Sequence, residues 1–152
     1  MPVWTTSRNY LFNANGTFDI GAGLALTQAA SSIFNGAGTF TKAGMGSMFL
    51  NGLNPVAAVT ISAGVLGVSG DAQLGDTVAN GAITLNSANV LTPAALLVTN
   101  SFATSRALTF TAGAVDVAAG ATLTTTGINT GTFVKTGLGT LLAAGGASTA
   151  SS

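Results

Sequence analysis

Eight charged side chains are all that this chain offers for acid, base or ionic chemistry: Arg8, Asp19, Lys42, Asp71, Asp76, Arg106, Asp116 and Lys135. It contains no Cys, no His and no Glu. Thiolate nucleophiles, disulfide frameworks, zinc sites of the usual kind and imidazole bases are thereby excluded. The closest pair of carboxylates, Asp71 and Asp76, stands in a Gly-rich stretch, SGDAQLGD. Calcium-binding solenoid loops need several carboxylates at tight periodic spacing, so this stretch predicts a turn capped by Asp. Cleavage of a polysaccharide needs Asp, Arg and Lys converging on one cleft, and charges this sparse predict no such cluster. The expectation is a chain that is not an enzyme and carries no cofactor and no metal.

Two of those charges recur in copies of one phrase. GAGTFTKAGMGSMFLNG, residues 36–52, has a close copy in GTFVKTGLGTLLAAG, residues 131–145, so Gly38, Gly44, Gly46 and Gly52 fall on Gly131, Gly137, Gly139 and Gly145, and Lys42 falls on Lys135. Upstream, Thr6-Ser7-Arg8 recurs at Thr104-Ser105-Arg106, and Asp19 aligns with Asp116. The chain therefore reads as about one and a half copies of a unit of roughly 95 residues, 1–98 and 99–145, in one domain over 1–145 with a Gly/Ala/Ser tail at 146–152. The glycines are expected to form the structural turns of the repeat. Lys42 and Lys135 each stand just past an inward Phe, and their ammonium groups are expected in water, where they discourage sideways sheet pairing. Asp19 and Asp116 are expected outward and several coils apart, on the order of 15 to 20 Å by strand spacing, too far to act as a pair.

The elements that carry these residues are short. TFTK, VTIS, ITLN, LTFT, VDV and TLTT each alternate an apolar side chain with Thr, Ser, Asn, Asp or Lys, and each is bounded by Gly or Asn. Such runs, with indels at turns between aligned repeats, predict an all-β parallel β-helix, a β-solenoid of roughly six or seven coils with no substantial helix. The inward positions are expected to include Phe12, Phe18, Ile20, Leu24, Leu26, Phe40, Met48, Leu50, Val59, Ile61, Ile83, Leu85, Leu108, Phe110, Val115, Val117, Leu123, Phe133 and Leu141. Phe49, between Met48 and Leu50, is expected to point outward as an exposed contact, and VLTPAALLV around Pro93 to leave an apolar patch. Thr rows, as in LTTTG and LTFT, are expected to be mixed with Asn, Asp and Ala.

Composition narrows the partners. Formal net charge is zero, so no basic patch points to nucleic acid and little repulsion opposes self-association. The uncharged span from Ala43 to Gly70 is interrupted by glycines and Pro55 and is a poor transmembrane helix. Eight scattered Phe, one Trp and one Tyr make no evident aromatic girdles for a membrane barrel. The N-terminal MPVWTTSRNYLFNANG lacks the basic-then-apolar pattern of a signal peptide.

GTFTKAGMGSMFLNGLNPVAAVTISAGVLGVSGDAQLG resembles the autotransporter-associated β-strand repeat, also called the passenger-associated transport repeat. Its Gly-Thr-apolar-Thr-Lys-x-Gly-x-Gly phrase occupies Gly38 to Gly52, its Asn is Asn54, and its last strand runs from Thr60 to Leu66. The chain departs from the pattern at PVAAVT, where a Gly-Gly-Thr turn is usual, and after Leu142. The resemblance implies a right-handed structural β-helix at a bacterial surface or outside the cell, of the kind found in type V secretion passengers. Three roles follow as expectations: a stalk that spaces or displays other domains, the subunit of a filament formed by head-to-tail stacking of coils, and an adhesion or ice-binding surface. Partners are then neighbouring coils or further copies, with any host ligand unspecified.

Overall fold

The computed structural model describes residues 1–88, 94–145 and 149–151. Its strands, in chain order, are β1 Val3–Thr6, β2 Tyr10–Leu11, β3 Gly16–Asp19, β4 Ala25–Gln28, β5 Phe34–Ala43, β6 Ser47–Leu50, β7 Val56–Ile61, β8 Val65–Val68, β9 Ile83–Asn86, β10 Ala95–Val98, β11 Phe102–Thr104, β12 Leu108–Ala112, β13 Ala114–Val117, β14 Thr122–Thr125, β15 Asn129–Thr136, β16 Thr140–Ala143 and β17 Thr149–Ser151. The one helical piece among the described residues is a 3-10 turn, Asp71–Gln73.

Strand neighbours in space are not neighbours in sequence, and the ladders between them are parallel. On one face the order is β1, β4, β6, β8, β10, β13 and then the end of β15. On a second it is β3, β5, β7, β9, β12 and then the start of β15. A third carries β11, β14 and β16. A chain that returns to the same face in the same direction must wind, and this one makes a parallel β-solenoid of about six turns. Coil length is elastic: Ser47 lies opposite Val65, eighteen residues on, whereas Val65 lies opposite Ala95, thirty on. Of the twelve extra residues, six fall between Val65 and Ile83, in the segment holding the 3-10 turn, and six between Ile83 and Ala95, and the ladders stay intact.

Alternation places apolar residues inside in columns, one per coil. Leu26, Met48, Leu66, Leu96 and Val115 form one such column, and Phe40, Val59, Ile83 and Leu108 another. Of the residues expected inside, Phe18, Leu24, Leu26 and Leu141 are partly buried against the core and the others are buried. Aromatic rings fill the first coils: Tyr10 meets Phe18 and Phe34 edge to face at 5.1 Å, and Phe12 meets Phe40 at 6.0 Å. Such pairs add about 0.5–1.5 kcal/mol beyond the area they bury.

The two copies of the repeat occupy different faces. β1 and β11 hold the same place in the unit, as do β4 and β14, and β6 and β16, yet the first of each pair lies in the long sheet and the second in the three-stranded one. Likewise β3 shares a face with β5, β7 and β9, while its counterpart β13 shares one with β8 and β10. One unit therefore does not wind a whole number of coils, and the second copy is turned by one face about the axis.

Long strands cross the corners. β15 lies against β12 with Asn129 to Gly131 and against β13 with Val134 to Thr136. Gly131 sits at that bend with φ 88°, a left-handed conformation that disfavours a side chain. Gly44 and Gly137 occupy the matching next corner with φ 71° and 75°. At Gly38, Gly46, Gly52, Gly139 and Gly145 the reason is crowding: a Cβ would collide with a carbonyl oxygen of the coil below, from Ala14, Gly21, Ser32, Ala118 and Thr126 respectively. Thr149–Ser151, within the expected tail, pairs with β15.

Candidate functional site: buried charges, an anchored turn and a threonine rank

Lys42 is not in water. It is fully buried, and its Nζ donates to the carbonyls of Ala43 at 2.7 Å, Gly44 at 2.8 Å and Ala63 at 3.1 Å. Gly64 closes over it, since a Cβ there would lie 3.0 Å from Nζ. The ammonium's three donors thus satisfy carbonyls freed where the chain leaves the ladder to turn. Burial lowers its pKa from 10.5 to about 8, and the charge of Asp19 acts in the opposite direction. The expectation of a solvated lysine failed on a point of strand geometry. Phe40 and Lys42 are two residues apart, so a period of two puts them on the same, inner side of β5.

Lys135 repeats the arrangement near the other end, donating to Gly137 at 2.7 Å and Gly139 at 2.6 Å, but it is only half buried. Asp19 and Asp116 fall on different faces, in β3 and β13, and the structure does not bring them together. Phe49 is half buried and does point outward: its ring lies across Gly67 of the next coil, in the space left by the missing side chain. The apolar stretch around Pro93 lies partly outside the described residues.

Two buried polar clusters escaped the sequence reading. Arg106 is fully buried although its repeat counterpart Arg8 is exposed. Its Nε donates to Asp71 Oδ1 at 2.9 Å, its Nη2 to the Gly75 carbonyl at 2.8 Å, and its Nη1 to the Gly81 carbonyl at 3.3 Å. One guanidinium fork therefore fastens the long segment between β8 and β9 to the body of the solenoid. Asp71 serves this anchor instead of a simple turn cap, while Asp76 does cap its turn, accepting from the Val78 N–H at 2.7 Å.

The second cluster joins three coils. Gln28 and Asn54 exchange amide hydrogen bonds, Gln28 Nε2 to Asn54 Oδ1 at 2.5 Å and Asn54 Nδ2 to Gln28 Oε1 at 3.0 Å. Asn54 also accepts from the Phe34 N–H and donates to the Gln73 carbonyl, so its carboxamide links successive turns. The repeat resemblance singled out Asn54; the signal for Gln28 was a long polar residue at the inward end of an alternating run, ALTQ.

The outer surface of the β3 face is more regular than expected. Thr17, Thr41, Thr60, Thr84, Thr109 and Thr130 lie opposite one another in successive strands, an unbroken rank of one Thr per coil. All six are exposed or half exposed. Ala58, Ala82 and Ala107 precede three of them by two positions, while the exposed Ile128 stands two positions before Thr130. Strands repeat at about 4.8 Å, so the rank offers a linear lattice of donors and acceptors.

Among the described residues, no group of three or more His, Cys, Asp or Glu comes together, and no helix is long and apolar enough to cross a membrane. The fold and its stacked registers define the protein as a parallel β-solenoid. No family model, curated protein or solved structure matches the chain.

Proposed function

We propose that this protein is a structural β-solenoid module, a stiff spacer at a bacterial surface or outside the cell that holds or displays attached domains. The observation that carries this reading is where the strong polar groups go. Lys42, Arg106, Asp71, Gln28 and Asn54 are engaged with backbone or with each other, tying one coil to the next. A solenoid so tied gains stiffness from every interface between neighbouring coils. The secreted, passenger-like setting rests on the likeness of GTFTKAGMGSMFLNG to the repeat described above.

The test is a ruler experiment. With the module inserted between two fluorescent domains, energy transfer should report an added separation of about 29 Å for about six turns at ~4.8 Å each. Tandem insertion should add the same increment again. A separation that grows as a flexible linker's does, with the square root of length, would contradict the spacer role.

The threonine rank supports a second reading, an ordered-water surface that adsorbs to ice. Ice recrystallisation should be inhibited by the intact chain and not by a Thr60→Lys, Thr84→Lys variant of equal stability. Equal activity in both, or none in either, ends that reading.

A further inference from the structure

The two ends of the repeat differ in what lies before them, and the internal copy shows what the first copy lacks. Inside the solenoid, β12 is covered by β9, β13 by β10, and β11 is flanked by the 3-10 turn at Asp71–Gln73. Among the described residues, their counterparts β2, β3 and β1 have no strand on that side. Burial follows: Arg106, Leu108 and Val115 are 0%, 2% and 0% exposed, whereas Arg8 is exposed and Tyr10 and Phe18 are half buried. Between β2 and β3 a cleft of about 540 Å³ opens beside Tyr10, Phe12 and Phe18.

We infer that this N-terminal end is the docking face for one more coil of the kind built by the 3-10 turn, β9 and β10, attached in tandem ahead of Met1. Such a coil would present a carboxylate and two carbonyls to Arg8, as Asp71, Gly75 and Gly81 do to Arg106, and would pair the open edges of β2 and β3. Chemistry decides against the chain's own C-terminal end as the occupant. The strands at that end, β15, β16 and β17, carry Lys135 and no carboxylate side chain, so a second copy stacked on them head to tail meets Arg8 with no acidic turn. The inference deepens the spacer reading by naming what the module stacks on, and takes its tandem arrangement from it.

The experiment fuses a second copy of residues 53–98 directly ahead of Met1 and follows thermal unfolding. In the unextended chain Arg8→Ala should move Tm by less than about 2 °C, as for an exposed side chain. In the extended chain the same change should lower Tm by roughly 6–12 °C, the loss expected for breaking a buried ion pair. Asp→Asn at the grafted equivalent of Asp71 should reproduce it. The inference is overturned if Arg8→Ala is equally mild in both chains, or if the grafted coil is digested by protease while the remainder survives. It is also overturned if the unextended chain self-associates in sedimentation and Arg8→Ala abolishes this, because the occupant is then a second copy. A stiff ruler that rejects the graft leaves the spacer reading standing; a stacked graft on a chain that fails the ruler test does the reverse.

Discussion

Replacing Arg106 with alanine is expected to destabilise the folded chain by about 3–5 kcal/mol, the range for removing one partner of a buried ion pair. The guanidinium is fully buried and serves five acceptors or near-acceptors at once: both Asp71 carboxylate oxygens, the Asp71 carbonyl, and the carbonyls of Gly75 and Gly81. Truncation leaves these groups facing a void, and each unsatisfied polar group adds a desolvation cost of its own. Asp71 is 22% exposed and regains some water, so Asp71→Asn should fall at or below the lower end of that range. Arg106→Lys keeps the charge but not the planar fork and should fall between the two. Urea denaturation measures all three, with Arg8→Ala as the control expected within about 0.5 kcal/mol of the parent. An Arg106→Ala chain less than about 1 kcal/mol weaker than the parent would mean that the segment between β8 and β9 does not depend on this anchor.

The second large effect is a dependence on pH. The Lys42 ammonium has a pKa of about 8 in the fold against 10.5 for the ordinary group. Between those values the unfolded chain holds a proton that the folded chain has released, so stability rises with pH across that window. Below about 8 both states are protonated and the burial cost of the charge is fully present. A displacement of this size corresponds to about 3 kcal/mol across the whole window. The denaturation midpoint should therefore increase from pH 7.5 to 9.5, and Lys42→Met should remove most of that slope. A midpoint that falls over the interval, or a slope unchanged in the Met variant, would contradict the buried-amine account.

Much of this architecture can be read from alternation, turn glycines and the long repeat, because a solenoid writes the same local instruction once per coil. Phe40, Met48, Ile61 and Leu123 sit where a period of two puts them, and the glycines aligned between the copies sit at corners or beneath neighbouring carbonyls. Polar residues were harder to read. Lys42 obeys the same period as Phe40, but a general preference for solvated charge outweighed the pattern. Arg106 and Arg8 share a motif and differ in environment, since one has a coil before it and the other does not. No local spacing encodes that difference. The threonine rank is invisible along the sequence because its members are separated by coils of unequal length, and only register brings Thr60 opposite Thr84 and Thr84 opposite Thr109.

In-register stacking of the coils is the claim on which the fold, the spacer role and the docking end all depend. The chain has no cysteine, so Thr17→Cys, Thr130→Cys takes two nitroxide labels at defined places on one face. These positions are five strand steps apart along the rank, about 24 Å at ~4.8 Å per step. Pulsed electron resonance should give one narrow distance distribution near that value, allowing for the label arms. A broad distribution, or a mean beyond about 40 Å where five stacked strands cannot reach, would show that the coils do not stack in this order.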